Sequence, residues 1–260
     1  MPSQPDLAAP ARLALRCLDL TSLNDADTEA DVASLCARAH GPFGDTAAVC
    51  VWLRFAAMAR RQVPAGIAVA AVANFPDGDA DIARAVQDTQ AIVSAGAQEV
   101  DVVLPYARLM AGDDAAVAAL LQAVRAACPG LTLKVILETG VLQTEALIRR
   151  ASELSIEAGA DFLKTSTGKT PVSATLGAAR TMLQAIAADP AAATRVGFKA
   201  SGGIRTVAEA ATYFSLVQEI LGPQALTPAR LRIGASSLLG DIEAVLGGAA
   251  ATPHAAPGPY

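Results

Sequence analysis

Short apolar runs alternate with longer amphipathic segments along almost the whole chain, and this alternation limits the fold more than any other feature. The strand-like runs are Leu13–Asp19, Ala47–Leu53, Ile67–Val72, Glu99–Pro105, Leu131–Glu138, Phe162–Ser166, Arg195–Ala200 and Leu231–Gly234. They are bounded by turn residues and are too short for independent helices. Helical patterns lie between them, over Asp79–Ala95, Asp113–Ala127, Thr144–Ala158, Ser173–Ala187 and Thr206–Leu221. Several open on a Ser, Thr or Asp able to cap free amides. Only the segment near Ala56–Gln62 is short. Eight such repeats in about 250 residues predict a single-domain TIM (β/α)8 barrel. An open doubly wound sheet is the alternative that the pattern leaves. The expected barrel spans residues 1–246. Residues 247–260, rich in Gly, Ala and Pro and ending in Tyr260, read as a flexible tail.

Composition narrows the function. A net charge of −5 offers no basic surface to nucleic acid. Met1 to Arg12 lacks the apolar core of a signal peptide, and no run approaches the length of a membrane span. Cys17, Cys36, Cys50 and Cys128 are scattered without a CxxC pair, so reduced thiols in a cytoplasmic protein are expected. His40 and His254 are the only histidines, too few for a histidine-rich metal site.

The chemistry-bearing residues are the polar ones inside the apolar runs: Asp19, Cys50, Asp101, Lys134, Lys164 and Lys199, with Glu138 closing the fifth run. In a barrel, catalytic groups stand at the C-terminal ends of strands. Asp101, Lys134, Lys164 and Lys199 come from runs four to seven, neighbours around a barrel wall. Charges buried there must pair with one another, and a purely structural ion-pair network is one reading. Lysines outnumber aspartates, however, and adjacent ammonium groups depress each other's pKa, which favours a neutral, nucleophilic amine. That is Schiff-base chemistry. Cys50 has no histidine partner and reads as a packed thiol.

Glycine turns carry a second signal. Gly202-Gly203 follow the seventh run, and Gly234-Ala235-Ser236-Ser237 follow the eighth and open a helix. These are the loops where barrels bind phosphate. Gly168-Lys169 after the sixth run adds a point charge. Thr167-Gly168-Lys169-Thr170 is not a nucleotide P-loop, because Leu163 stands where that motif needs glycine.

Taken together, Leu18-Asp19-Leu20-Thr21, Val72-Ala73-Asn74-Phe75-Pro76-Asp77-Gly78, Glu99 to Tyr106, Leu133 to Gly140, Asp161 to Lys169, Gly197 to Arg205 and the Ser236 run resemble the 2-deoxy-D-ribose-5-phosphate aldolase family. This family comprises class I aldolases of the TIM-barrel fold. The resemblance implies reversible cleavage of 2-deoxyribose 5-phosphate to acetaldehyde and glyceraldehyde 3-phosphate without a metal or organic cofactor. It implies Lys164 as the Schiff-base lysine, Lys199 as the residue that lowers its pKa, Asp101 as proton shuttle, and Lys134 nearby. Gly168, Lys169, Gly202, Gly203, Ser236 and Ser237 match phosphate-binding positions, and Asp19, Thr21, Thr167 and Gly234 complete the expected substrate-contacting set. A terminal tyrosine enters the site in some members, which makes Tyr260 a candidate proton donor. The partners are then a phosphorylated sugar and acetaldehyde, with neither nucleic acid nor membrane, and a homodimer is compatible with the resemblance. Trp52-Leu53 depart from the family pattern, which has an aromatic residue and a proline there. Another Schiff-base barrel enzyme, or a non-catalytic sugar-phosphate-binding barrel, remains open at this point.

Overall fold

The computed structural model describes residues 7–248; Tyr260 and the rest of the expected tail beyond Gly248 lie outside them. Eight parallel strands close into a barrel in sequence order: β1 Leu18–Thr21, β2 Ala48–Val51, β3 Ala68–Ala73, β4 Glu99–Val103, β5 Thr132–Ile136, β6 Phe162–Lys164, β7 Gly197–Ser201 and β8 Leu231–Ala235. Closure comes from β1 pairing with both β2 and β8. The alternative open sheet is thereby overturned: a closed ring leaves no unpaired edge.

The helices are α1 Ala8–Arg16, α2 Glu29–Arg38, α3 Ala56–Gln62, α4 Ile82–Ser94, α5 Asp114–Ala127, α6 Glu145–Glu157, α7 Leu176–Ala188, α8 Val207–Leu221 and α9 Leu238–Leu246, with short turns between some of them. Asp81, Asp113, Thr144, Thr175 and Thr206 each accept a backbone N–H of the first turn that follows. Each cap contributes about 1 kcal/mol to its helix. Outward strand residues such as Val100, Val102, Leu133, Val135, Leu163 and Phe198 are buried under these helices and form the main core. No helix among the described residues is long and apolar enough to cross a membrane.

One expected strand begins elsewhere. The run Leu13–Asp19 divides: residues 13–16 end α1, and β1 starts only at Leu18. Ala11, Ala14 and Leu15 are the buried residues of α1, and their i, i+3, i+4 spacing is helical rather than alternating. This helix packs on α8 and α9.

Candidate active site

The pleat of a strand turns alternate side chains inward. In β4 it sends Glu99, Asp101 and Val103 into the barrel while Val100 and Val102 face the helices. The same alternation brings Asp19 of β1, Lys134 of β5, Lys164 of β6, Lys199 of β7 and Arg232 of β8 to the centre, all of them buried. Register sets their heights, since Asp101 is level with Lys134, Lys164 with Lys199, and Lys199 with Arg232.

Four cations therefore meet three carboxylates inside the barrel. Arg232 donates to Asp19 at 2.6 Å and to Glu99 at 2.8 Å. Lys134 donates to Glu99 at 2.5 Å and to Asp101 Oδ1 at 2.7 Å. Lys199 donates to Asp19 at 2.5 Å and to Asp101 Oδ2 at 2.8 Å. Lys164 also donates to Asp101 Oδ2, at 2.9 Å, and that is its only ion pair among the described residues. Lys199 and Arg232 are thus each held by two carboxylates, Lys134 by two hydrogen-bonded ones with Asp19 3.7 Å away, and Lys164 by one that it shares.

The electrostatics follow from this arrangement. Burial opposes the charge on Lys199, yet Asp101 and Asp19 hold its ammonium well above the usual lysine range. The expected mutual depression of the two lysines therefore does not describe Lys199. Lys134 is likewise raised, against its burial, by Asp101 and Glu99. Burial also opposes ionisation of Asp101, but Lys134, Lys164 and Lys199 keep its carboxyl well below the ordinary range. Asp19 is lowered in the same way by Lys199 and Arg232. Lys164 is thus the most lightly held of the four cations, bound through one oxygen that Lys199 also uses. Cys50 lies 3.9 Å from Asp101, and burial pushes its thiol up, which leaves it unreactive.

Glycine makes this packing possible at β8. A Cβ on Gly234 would stand 2.6 Å from Ser201 Oγ and 3.1 Å from Lys199 Cε. Gly234 therefore lies beside the lysines, within the strand, and Asp19 anchors Lys199 below the mouth. Thr21 donates its hydroxyl to the Asp19 carbonyl at 2.8 Å.

The other expected residues gather at the barrel mouth. Gly168, Gly202 and Gly203 have φ of 82°, 86° and 82°, left-handed backbone that glycine adopts freely. A Cβ on Gly202 would press on Ser173 and lie 3.5 Å from the Gly168 backbone, so the loops after β6 and β7 touch. Ser236 and Ser237 are exposed at the start of α9, where no side chain caps the free amides. Lys169 reaches across the mouth to Asp25 at 2.9 Å and lies 5.7 Å from the centre of the Trp52 ring. Trp52 packs edge-on against Phe75 beside an apolar wall of Leu23, Cys50, Val72, Val103 and Ile136. The mouth thus has a polar, amide-lined side and an apolar side, with Lys164 between them and the charged floor below.

Sequence reading missed two members of the network, Glu99 and Arg232. Both lie two residues before an inward position, Asp101 and Gly234, so period-two alternation was the available signal. It also assigned no function to Glu138. That carboxylate is buried at the end of β5 and accepts from the Thr167 N–H at 3.2 Å, the Thr167 hydroxyl, and the Thr170 hydroxyl at 3.2 Å.

The sequence model of the DeoC/LacD family aldolase matches residues 13–239. A deoxyribose-phosphate aldolase of Agrobacterium fabrum is 51% identical over 241 residues, covering 92% of this chain and 92% of that protein. A crystal structure from Toxoplasma gondii ME49, assigned as a deoxyribose-phosphate aldolase, superposes with a TM-score of 0.85 at 25% identity, over 93% of this chain and 95% of that one. A tetrameric deoxyribose phosphate aldolase from Aeropyrum pernix superposes with a TM-score of 0.68 at 26% identity, over 94% and 98% of the two chains.

Proposed function

The chain belongs to the DeoC/LacD aldolase family, and from that premise we propose that it reversibly cleaves 2-deoxy-D-ribose 5-phosphate into acetaldehyde and D-glyceraldehyde 3-phosphate through a Schiff base on Lys164. The observation that supports the assignment of the nucleophile is that, among the described residues, Lys164 alone of the four buried cations is held by a single, shared carboxylate.

The neutral Lys164 amine attacks C1 of the open-chain aldehyde. Loss of water gives an iminium, which restores the fourth positive charge beside Asp101. A base removes the C3 hydroxyl proton, the C2–C3 electron pair moves into the iminium, and glyceraldehyde 3-phosphate departs. Both Asp101 oxygens are engaged by lysines, so Asp101 takes this proton through a water, and the positive field of Lys134 and Lys199 keeps it a weak base until the iminium is consumed. The enamine is then protonated at C2, by Tyr260 or by a water, and hydrolysis frees acetaldehyde and the amine. The protonated imine is the electron sink, a role that a metal plays in other aldolases.

Gly168, Lys169, Gly202, Gly203, Ser236 and Ser237, with Thr167, form the proposed grip on the phosphate, which fixes C1 at Lys164 and lowers the entropic barrier. Asp19, Thr21 and Gly234 support Lys199 from behind. Four buried thiols without a disulfide support action in a reducing compartment such as the cytoplasm. Self-association, at least as a homodimer, belongs to the same reading. The test is turnover of deoxyribose 5-phosphate with both aldehyde products quantified. Equimolar products are expected, with at least about a thousandfold loss in Lys164→Ala. Full turnover by Lys164→Ala would overturn the assignment.

A further inference from the structure

Glu138 occupies a backbone position that costs energy. Its φ is 54°, in the left-handed region where glycine is the ordinary choice. A glutamate there, fully buried, needs a compensating interaction. Among the described residues, the hydrogen bonds to its carboxylate come from the loop after β6. Oε2 accepts the backbone N–H and the hydroxyl of Thr167, and Oε1 accepts the hydroxyl of Thr170. Thr167 Oγ1 in turn accepts the backbone N–H of Lys169 at 3.0 Å, so one carboxylate organises the segment 167–170. The contact extends past the side chain. A Cβ on Gly140 would run into the backbone of Val172, and the Thr139 N–H donates to the Thr165 carbonyl at 2.9 Å. Burial pushes the Glu138 carboxyl up while the Thr167 and Thr170 bonds oppose the shift.

We propose that Glu138 is a positioning residue that moors the segment Thr167–Thr170, so that it sets affinity for the phosphate end of the substrate and takes no part in bond making. This inference rests on the phosphate grip proposed above. With the Thr167 N–H held by Glu138 and the Lys169 N–H by Thr167 Oγ1, the turn at Gly168 is fixed in place, and the Lys169 ammonium that follows it faces the mouth only while that turn is held. Glu138 holds it from beneath.

Steady-state kinetics on deoxyribose 5-phosphate and on unphosphorylated 2-deoxyribose separate the roles. Glu138→Ala should raise KM for the phosphorylated substrate about tenfold or more, since charge-assisted bonds are lost. Its kcat/KM on 2-deoxyribose should stay within about twofold. Glu138→Gln should remain within about threefold of wild type on both. Its amide oxygen can accept both Thr167 donors, and its NH2 can donate to Thr170 Oγ1, whose single hydroxyl proton, shared in the wild type between Glu138 and the Val172 carbonyl 3.0 Å away, then goes to Val172. Thr170→Val, which removes one bond and keeps the carboxylate, should raise KM for the phosphorylated substrate about threefold. If Glu138→Ala does not fold, Thr170→Val decides alone. An equal fall of kcat on both substrates with KM unchanged would make Glu138 an acid–base group and overturn the proposal, as would unaltered kinetics in folded Glu138→Ala or Thr170→Val. Failure of the function itself is distinguishable, because wild type would then form no borohydride-trapped adduct with acetaldehyde. In that case affinity for inorganic phosphate reads the inference, and Glu138→Ala must still weaken it.

Discussion

Lys164 and Lys199 have the same chemistry, occupy matched positions on adjacent strands, and donate to the same oxygen of Asp101. What separates them is Asp19, which gives Lys199 a second carboxylate at 2.5 Å. Two carboxylates hold the Lys199 ammonium well above the usual lysine range against its burial, whereas Lys164 has one carboxylate, shared with Lys199. Lys199 is therefore both a competitor for Asp101 and the cation whose charge makes a fourth ammonium unfavourable. Removing it as Lys199→Met leaves three carboxylates facing Lys134, Arg232 and Lys164, so Lys164 becomes the cation that balances them. The neighbouring positive charge that opposes an ammonium on the adjacent strand is then gone. The acidic limb of kcat/KM against pH should move upward by roughly one unit or more. A limb that stays in place would show that Lys199 does not control the state of Lys164.

At the scale of elements, β7 and β8 each give up an inward side chain for a different purpose. A Cβ on Gly197 would collide with the Phe162 ring, on which Arg232 stacks at 5.6 Å, whereas a Cβ on Gly234 would push on Lys199. Gly197→Ala should lower unfolding stability by about 1–3 kcal/mol through overpacking and keep most of kcat. Gly234→Ala should displace the Lys199 amine and reduce kcat by about a hundredfold. Denaturant unfolding and turnover of the two variants check this, and the same profile in both would refute the division. The sequence marked Gly234 as a phosphate-loop residue because it begins a Gly-Ala-Ser-Ser run. Only the register of β8 against β7 shows that it lies beside Ser201, one step inside the barrel. Glu138 stood among the polar residues of the apolar runs, but its role was not legible for a related reason: its partners Thr167 and Thr170 are distant in sequence and come together only when β5 and β6 pair.

For the whole molecule, the barrel was legible because eight apolar runs separated by capped helices have few alternative packings. The caps at Asp81, Asp113, Thr144, Thr175 and Thr206 fell at or near the expected helix starts, since the capping residue is itself the local signal. Leu13 to Arg16 misled because Leu-Ala-Leu-Arg supports either period, and the choice depends on α8 and α9, some two hundred residues away. The lysine pair was visible as charge inside apolar strands. The network of four cationic side chains and three carboxylates was not, because Glu99 and Arg232 matter only once the closed barrel places them beneath Lys134 and Asp19.

In the proposed reaction the lightly held Lys164 amine is the group that forms the covalent bond to substrate. Borohydride reduction in the presence of acetaldehyde or deoxyribose 5-phosphate, followed by intact mass and peptide mapping, tests it most directly. A single reduced adduct on Lys164, absent in Lys164→Ala, is the predicted result. An adduct on Lys199, or none on folded protein, would contradict it.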